Sequence, residues 1–459
     1  MKKQFLSFLL LLSFVVSVSA QKAQPARVDA LETNLRRHVT YLASDKLEGR
    51  RAGEKGATHA AGYIANQFAK LRLRPGARSA NGKPNYMQPF SYTPVRDPHA
   101  TQAAPTAAAA TANAKSSYNI IGILDGHDRV LKNEAVVIGA HYDHLGRGGQ
   151  GSLAADSTDI HHGADDNASG TAAIIELARA FAKEKKNKRT IIFIAFSGEE
   201  DGLFGSKFYV NNPVFPLEKT VAMINLDMVG RLSNNKLTIG GIGTASEWKS
   251  LIEGQNLDDR NASSPPKPEG YLGPPIRIED VKQKFALALN EDGFGPSDHS
   301  SFYGKQIPVL FFFTGTHLDY HKPSDTADKI NYVGLQQIVG YVAAIAKAVD
   351  ENPTRPTYTV AKLATPQGTR MGFGVSLGTI PTYADSTDGM LLDGVRENSP
   401  ASRAGLKAGD KLIKLAGKDV KNVYDYTAIL GEMKPDVEYE VVVIRGSETL
   451  ALKITPVKR

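Results

Sequence analysis

The stretch that most constrains the fold of this chain is T-I-I-F-I-A-F-S-G-E-E-D-G, residues 190–202. Its apolar first half is continuous, which is typical of a strand buried on both faces of a parallel sheet. The run ends at Ser197 and Gly198, and two carboxylates follow at once, Glu199 and Glu200. In open α/β sheets, functional groups collect just past the carboxyl ends of the strands. A lone acidic pair in this position is usually a solvated turn, so the rest of the chain has to decide between a turn and a site.

Further apolar runs predict buried strands at residues 119–124, 135–140, 221–226 and 307–313. A side chain that can bind a metal follows each of the last three runs: His141, Asp227 and, in the loop after the last run, His321. Another candidate lies in G-A-D-D-N-A-S-G, residues 163–170, just before a helical stripe. Because the carboxyl ends of parallel strands meet at one edge of a sheet, we expect these side chains to converge.

Strands that alternate with helical stripes predict the fold class: α/β, with a doubly wound, mostly parallel sheet and flanking helices. We assign this domain to residues 21–355, with its motif-bearing core at 118–350. Residues 97–117, rich in Ala and Thr, are interpreted as a flexible insertion. After a P-T-R-P linker, residues 358–459 have shorter strand runs and many glycines, which predicts a separate small α+β domain.

The first 20 residues have a basic start, an apolar core and small residues at their end, which is the pattern of a cleaved secretory signal peptide. We therefore expect a secreted or periplasmic protein with no stable membrane anchor after cleavage. The chain has no cysteine, which excludes disulfides and Cys-type zinc sites. The net charge of +7 is modest, and the basic run at 183–189 is interpreted as a solvated helix cap, so no nucleic-acid partner is expected.

Imidazole and carboxylate ligands suit Zn²⁺ and its neighbours in the first transition row. Two histidines and three carboxylates are too many for one tetrahedral zinc ion, but they suit two ions that share a carboxylate and clamp both oxygens of a hydrolytic displacement. The chain has no H-E-x-x-H motif, so the commonest helix-borne zinc protease site is excluded. The pattern predicts a two-metal hydrolase.

Several ordered motifs resemble those of peptidase family M28, the co-catalytic dizinc aminopeptidases. The matching strings are L-A-S-D-K-L-E-G-R, G-A-H-Y-D-H-L-G, G-A-D-D-N-A-S-G, F-S-G-E-E-D-G-L-F-G-S, N-L-D-M-V-G-R, S-D-H-S-S-F and D-Y-H-K-P-S-D-T. The resemblance spans roughly residues 31–349. It implies a zinc-dependent metallopeptidase with two Zn²⁺ per chain, Co²⁺ or Mn²⁺ being alternatives, that removes N-terminal residues from peptide or protein substrates.

The resemblance also implies a role for each matching residue. One metal would be bound by His141 and Asp227, the other by Glu200 and His321, with Asp166 bridging them and Asp165 as the rival bridge. Glu199 would be the general base, Asp143 would orient His141, and Tyr320 would polarise the scissile carbonyl or stabilise the oxyanion.

Other neighbouring polar residues are assigned no ligand role. His144, His161 and His162 exceed the ligand count and are interpreted as surface or supporting residues. Ser297, Asp298 and His299 match the family but are expected only to support the site or line a substrate pocket.

Three alternatives to an aminopeptidase stay open. A carboxypeptidase would need a cationic clamp that no motif assigns. A glutaminyl-cyclase-like acyltransferase works with one zinc, which the full ligand set argues against. A catalytically inactive scaffold that binds peptides through its second domain would be expected to lack ligands or the base, and none is missing.

The second domain resembles the PDZ domains of bacterial periplasmic proteases in R-M-G-F-G-V and in E-N-S-P-A…A-G-L-K-A-G-D. Such domains bind peptide C-termini by adding a strand to a sheet edge. The resemblance implies that Gly372, Phe373, Gly374 and Val375 form the carboxylate-binding loop. The alternative is a docking domain that binds no free peptide.

Overall fold

The computed structural model describes residues 30–93, 114–149, 152, 154, 157–257, 284–361, 375–381, 388–395, 399–421 and 423–458. The signal-peptide prediction at residues 1–20 and the loop residues Gly372, Phe373 and Gly374 lie outside the described residues.

The first domain is built from short and long strands that alternate with helices. Its strands are β1 Arg74–Pro75, β2 Ala77–Arg78, β3 Pro84–Asn85, β4 Met87–Tyr92, β5 Lys115–Leu124, β6 Ala135–His141, β7 Thr190–Phe196, β8 Thr220–Leu226, β9 Lys236–Gly240, β10 Ala286–Leu289 and β11 Val309–Phe313. Its helices are α1 Ala30–Leu42, α2 Lys55–Lys70, α3 Gly170–Glu184, α4 Phe204–Asn211, α5 Trp248–Gln255, α6 His299–Tyr303 and α7 Tyr332–Glu351.

The central sheet has the strand order β1-β5-β7-β6-β8-β11-β9-β10, and β4 also pairs with β5. Its middle four strands, β7, β6, β8 and β11, are mutually parallel. Antiparallel pairs flank this centre, β5 with β7 on one side and β9 with β11 on the other. The sheet is therefore mixed, with the predicted parallel arrangement at its core.

The parallel centre is buried on both faces, as the continuous apolar runs predict. Every residue of β6, β7 and β8 is buried. Alternate side chains of β7 point to opposite faces, so Phe193 packs with the larger helical layer and Ile192 with the layer that contains α4 and α6. Helices thus cover both faces of the sheet, which confirms the predicted α/β class.

The order of the strands reverses beside β6. The chain moves from β6 to β7 on one side and then crosses to β8 on the other side. Such a reversal of strand order is where open α/β sheets place their ligands. His141 ends β6 at this point.

Helix α7 is long and apolar enough to cross a membrane by those two criteria alone. In this fold it packs against α1, α3 and α5, and Leu335, Ile338 and Val342 are fully buried. Its apolar side chains are those of a core helix.

The second domain has its own hydrophobic core, which includes Leu392, Leu412 and Val441. Its elements are β12 Val375–Ser376, β13 Thr379–Pro381, β14 Met390–Val395, α8 Pro400–Arg403, β15 Lys411–Leu415, β16 Lys418–Asp419, α9 Val423–Glu432, β17 Tyr439–Arg445, β18 Glu448–Ile454 and β19 Val457–Lys458. Val375 lies in β12 opposite Lys458, with its side chain in the core.

Two predicted boundaries differ from the structure. Strand β5 begins at Lys115, inside the segment 97–117 that was predicted to be a flexible insertion, because residues 115–120 pair with β4. Tyr358, predicted to open the second domain, forms a β-bridge with Ala245 of the first. The backbone N–H of Ala361 also donates to the Tyr303 hydroxyl, 2.8 Å away, so the first domain extends to residue 361.

Candidate metal centre

The predicted ligands converge at the carboxyl edge of the parallel strands. The Nε2 atom of His141 lies 3.2 Å from Asp227 Oδ1 and 3.4 Å from Asp166 Oδ1. On the other side, His321 Nε2 lies 3.1 Å from Asp166 Oδ2 and 3.2 Å from Glu200 Oε2. Asp166 therefore presents one oxygen to each group, which is the arrangement a bridging carboxylate requires.

A kinked turn at Ala164–Ser169, in which Asp166 and Asn167 have non-helical backbone angles, places Asp166 between the two groups. Its backbone N–H donates to Asp325 Oδ2 at 3.1 Å. The next side chain, Asn167, donates to the carbonyl of Leu226 at 3.0 Å, which ties the turn to the end of β8. Asp227, the residue that directly follows β8, is thereby held beside Asp166.

Asp165, the rival for the bridge, has a structural role. Its Oδ1 accepts from the backbone N–H of Gly230 at 2.6 Å and from the Ser169 hydroxyl at 3.1 Å, and its Oδ2 lies 3.1 Å from His317 Nε2. Both oxygens are used away from His141 and His321. The geometry thus favours Asp166 over Asp165.

Asp143 orients His141 through its backbone more than through its carboxylate. His141 Nδ1 lies 3.2 Å from the Asp143 carbonyl oxygen but 3.8 Å from its Oδ1. Because a carbonyl only accepts, Nδ1 carries the proton and Nε2 can offer its lone pair to a metal. The Asp143 carboxylate instead accepts the backbone N–H of Glu199 at 3.3 Å, so it positions the loop that carries both glutamates.

Glu199 and Glu200 occupy different environments. Burial raises the pKa of Glu199 well above its ordinary value, and nearby Asp227 adds to this while His141 opposes it. Burial and Asp166 also act to raise the pKa of Glu200, but His321 and His144 outweigh them and hold it at about 2. The two adjacent glutamates therefore differ in protonation: Glu199 can hold a proton, whereas Glu200 stays an anion.

His144, interpreted from the sequence as a surface or supporting residue, contacts the predicted ligand Glu200. Its side chain is fully buried, and Nδ1 lies 2.6 Å from Glu200 Oε1 and 3.8 Å from Asp166 Oδ2. It forms a potential ligand group with these two carboxylates. Of the two roles that the sequence left open, surface or supporting, His144 takes the supporting one, because it is buried and contacts Glu200. His161 and His162 fit the supporting role, contacting Ser152 and Asp45 respectively.

Tyr320 and Ser297 each contact a predicted ligand. The Tyr320 ring stacks on His321, with ring centroids 3.8 Å apart. The hydroxyl of Ser297 donates to Asp227 Oδ2 at 2.8 Å and accepts from Asn225 at 2.8 Å. Both residues therefore help to orient predicted ligands, His321 and Asp227 respectively.

The donor set fits a cation. Burial alone would lower the pKa values of His141 and His321, yet surrounding carboxylates raise both well above the ordinary value. That balance reflects surplus negative charge in a buried space, which bound cations would neutralise. The groups that could hold a metal are His141 with Asp166 and Asp227, His141 with Glu199 and Glu200, and His144 with Asp166 and Glu200.

Arg50 supports the centre from outside the predicted ligand set. Its guanidinium is fully buried and donates to the carbonyls of Tyr142 at 2.7 Å, Gly163 at 2.9 Å, His162 at 2.7 Å and Leu42 at 2.5 Å. Two of these carbonyls flank His141 and Asp166 in the sequence. The L-E-G-R motif was part of the predicted resemblance, but nothing in its composition showed where the arginine donates.

Fold and site together define an α/β protein with a buried carboxylate–histidine centre at a topological switch point. Residues 119–346 match the sequence model of Peptidase family M28, and this part of the chain belongs to that family. Residues 374–455 match the model of the PDZ domain. Both results confirm the resemblances that the motifs indicated.

Named relatives include aminopeptidase YwaD of Bacillus subtilis (strain 168), 31% identical over 244 residues that cover 51% of this chain and 45% of the relative. Leucine aminopeptidase 2 of Trichophyton rubrum is 26% identical over 293 residues, which cover 57% of this chain and 51% of the relative. The chain thus spans about half the length of these curated relatives.

Among solved structures, a zinc aminopeptidase from Bacillus subtilis, BSAP, is similar with a TM-score of 0.46 and 20% identity, covering 71% of this chain and 98% of that one. An aminopeptidase from Aneurinibacillus sp. strain AM-1 has a TM-score of 0.48 and 19% identity, covering 72% and 96%.

Proposed function

We propose that this chain is a zinc-dependent aminopeptidase with two metal ions per chain. The observation that carries the proposal is Asp166, whose Oδ1 faces His141 and whose Oδ2 faces His321. Asp227 completes the first ligand group and Glu200 the second. The aminopeptidase names of the relatives agree with this reading.

The residues around the proposed ligands are suited to moving a proton. Bound zinc ions would supply an acidified water and a Lewis acid for the scissile carbonyl. Glu199 Oε2 lies 4.0 Å from His141 Nε2, beside the first group. Because burial raises its pKa, Glu199 is a competent base toward an acidified water and then a competent acid toward the leaving amine. Asp143 holds the Glu199 backbone in place for this transfer.

The arginines near the candidate site already have protein partners, which favours recognition of the amino end of the substrate over its carboxyl end. The guanidinium of Arg50 donates to backbone carbonyls. Arg51 forms an ion pair with Asp201, and Arg231 forms ion pairs with Asp319 and Asp325. In the part of the chain that the structure describes, none of these three arginines is left to clamp a substrate carboxylate. A carboxypeptidase would need such a clamp, whereas surplus carboxylates suit a free α-amino group.

A matched pair of substrates tests this proposal. Leucine p-nitroanilide and its N-acetyl derivative are offered to the metal-loaded full-length chain. We expect hydrolysis of the free amine only, loss of activity after chelation, and recovery on addition of Zn²⁺. Turnover of the acetylated substrate alone would overturn the aminopeptidase assignment.

We also infer export to the periplasm or the medium, with removal of residues 1–20. The support is the apolar run at residues 6–18, preceded by Lys2 and Lys3 and followed by Ser19 and Ala20. The mature N-terminus, determined by mass spectrometry, is expected at Gln21; an intact N-terminus would contradict this.

For the second domain, we propose binding of peptide C-termini, in line with its PDZ match. Fluorescence anisotropy with a labelled peptide would show weaker binding after amidation of its C-terminus if the carboxylate is recognised. Equal binding of the free and amidated peptides would contradict carboxylate recognition.

A further inference from the structure

An open groove with a volume of about 440 Å³ lies between helices α1, α2 and α3. It is lined by Arg37, Tyr41, Tyr63, Gln67, Lys70 and Arg179. The volume lies within the usual range of about 300–1,000 Å³ for small-molecule sites. None of the metal-centre side chains lines this groove.

The groove is one-sided in charge. Three of the six lining residues are cationic: Arg37, Lys70 and Arg179. None of the six is acidic. The neighbouring Arg36 takes no part, because it pairs with Glu32 and lies over the Tyr332 ring. Two adjacent arginines on α1 thus have different surroundings, and only Arg37 faces the groove.

A buried hydrogen-bond chain fixes the floor of the groove. Glu176 is only 3% exposed and contacts the lining residue Arg179. Its carboxylate accepts from Asn34 at 3.1 Å and from Arg179 Nε at 2.9 Å, and it lies 3.0 Å from His38 Nε2. Glu176 forms its ion pair with Arg179, so Arg37 and Lys70 carry the net positive charge of the groove.

The same chain fixes the direction of the Tyr63 hydroxyl. Burial lowers the pKa of His38, so this imidazole is neutral at pH 7 and donates from Nε2 to Glu176. Its Nδ1 must then accept from the Tyr63 hydroxyl, 2.7 Å away. Arg37 contacts the same hydroxyl. Tyr63 also stacks on Tyr41 with ring centroids 4.1 Å apart, which makes a rigid aromatic wall.

Two further donors point to a ligand. Gln67 is only 6% exposed, and its side-chain amide makes no hydrogen bond with any residue that the structure describes. Arg179 is anchored through Nε, and within the described part of the chain its two terminal nitrogens have no hydrogen-bond partner. The Gln67 amide and the terminal nitrogens of Arg179 are thus free to bond with water or with a ligand in the groove, and the Arg179 side chain is 37% exposed.

We propose that this groove is a binding site for a phosphate-type oxyanion, with Arg37, Lys70 and Arg179 as its cationic donors and Gln67 as a neutral donor. Guanidinium groups match tetrahedral oxyanions in geometry as well as in charge. The Tyr41 and Tyr63 wall can accept a flat organic group attached to the anion.

The groove is separate from the candidate metal centre, and helix α3 connects the turn that carries Asp166 to the groove residue Arg179. Helix α3 starts at Gly170, four residues after Asp166, and Arg179 follows on the same helix. At 1.5 Å per residue, Arg179 lies about 13 Å along the axis from Gly170. The groove proposal does not depend on the proposed aminopeptidase activity.

Isothermal titration calorimetry of the metal-loaded full-length chain tests the proposal with two probes, inorganic phosphate and phenyl phosphate. Arg37→Gln and Lys70→Gln are compared with Arg36→Gln as the matched control. Since phosphate also binds metals, the difference between variants is the informative quantity. We expect Arg37→Gln to weaken binding about tenfold, Lys70→Gln to weaken it severalfold, and Arg36→Gln to leave it unchanged.

The two probes identify the source of the anion. Tighter binding of phenyl phosphate would assign the groove to an organic phosphate that stacks on the tyrosines, and equal binding would assign it to free phosphate. No groove-dependent binding of either probe, or equal losses in Arg36→Gln and Arg37→Gln, would overturn the proposal.

Discussion

At the scale of single residues, a buried arginine holds the loops that carry the proposed ligands. Arg50 donates to four backbone carbonyls, among them those of Tyr142 and Gly163. Because these carbonyls belong to the His141 and Asp166 segments, loss of the guanidinium should loosen ligand geometry without removing a ligand. Arg50 is thus a positioning residue.

We predict that Arg50→Met lowers zinc affinity about 10- to 100-fold, the range seen when partners of metal ligands are removed. Zinc affinity is measured by competition with a chelating dye, and circular dichroism checks the fold. Arg50→Lys should recover part of the affinity, since Lys keeps the charge but not the fork of donors. Lys46→Met, on the exposed side of the same Asp45–Arg50 turn, should have no effect, and equal affinities in all variants would contradict the positioning role.

His144 provides a second prediction at this scale. Its Nδ1 lies 2.6 Å from Glu200 Oε1, so it orients that carboxylate or binds metal beside it. We predict that His144→Gln weakens binding of one metal equivalent about tenfold or more and leaves the other unchanged. Stepwise zinc titration measures this. His162→Gln is the control, because the His162 side chain contacts Asp45 and the carbonyl of Pro323 and neither is a predicted ligand. A normal titration of His144→Gln would show that the buried contact is not needed for metal binding.

The sequence predicted the ligands His141, Asp166, Glu200, Asp227 and His321 because each follows a buried strand or lies in a recognisable motif. It could not distinguish His144 from other nearby histidines, since spacing alone does not show which imidazole turns inward. The role of Arg50 could not be predicted either, because its partners are backbone carbonyls from distant segments.

At the scale of elements, one basic residue links a strand to a distant helix. Arg189 precedes β7 and is fully buried. Its Nη1 donates to the carbonyls of Val349, Asp350 and Asn352 at the end of α7, and its Nε donates to Glu134. The interpretation of run 183–189 as a solvated cap was wrong for this residue, which caps α7 from inside.

We predict that Arg189→Met lowers the free energy of unfolding by about 3 kcal/mol, because buried carbonyls and the Glu134 carboxylate lose their donor. Urea denaturation followed by circular dichroism measures the loss. Lys186→Met, at an exposed position of the same basic run, should change stability by less than about 0.5 kcal/mol. Equal stabilities for the two variants would rule out internal capping.

Elements with continuous apolar runs were predicted with the correct type, because burial on both faces leaves a strong pattern. Strands β1–β4, β9 and β10 were not predicted, since they are short or half-exposed and lack a continuous apolar run. The antiparallel edges also could not be predicted, because strand direction depends on the connections and not on residue pattern.

At the scale of the whole molecule, the first domain continues past the predicted linker. Thr359 donates from its backbone N–H to the carbonyl of Thr244 at 2.9 Å, and Tyr358 packs on Tyr303 with centroids 5.9 Å apart. The sequence suggested a boundary at 358 because P-T-R-P resembles a linker. The tertiary contacts that continue beyond it are not visible in local pattern.

We predict that a chain ending at residue 361 is more stable than one ending at residue 356 by about 2 kcal/mol, the sum of a few hydrogen bonds and the Tyr358 contact. Chemical denaturation of the two truncated chains measures the difference. Identical stabilities would show that residues 357–361 are dispensable to the first domain.

The proposed activity depends on a carboxylate-bridged metal pair with Glu199 as its general base. The most direct measurement is the metal content and peptidase rate of Glu199→Gln beside the unaltered chain. We predict about two zinc equivalents per chain in both proteins and a turnover number lowered about a thousandfold in the variant, within the range for loss of a general base. One equivalent or none in the unaltered chain, or a variant that keeps its full rate, would contradict the account.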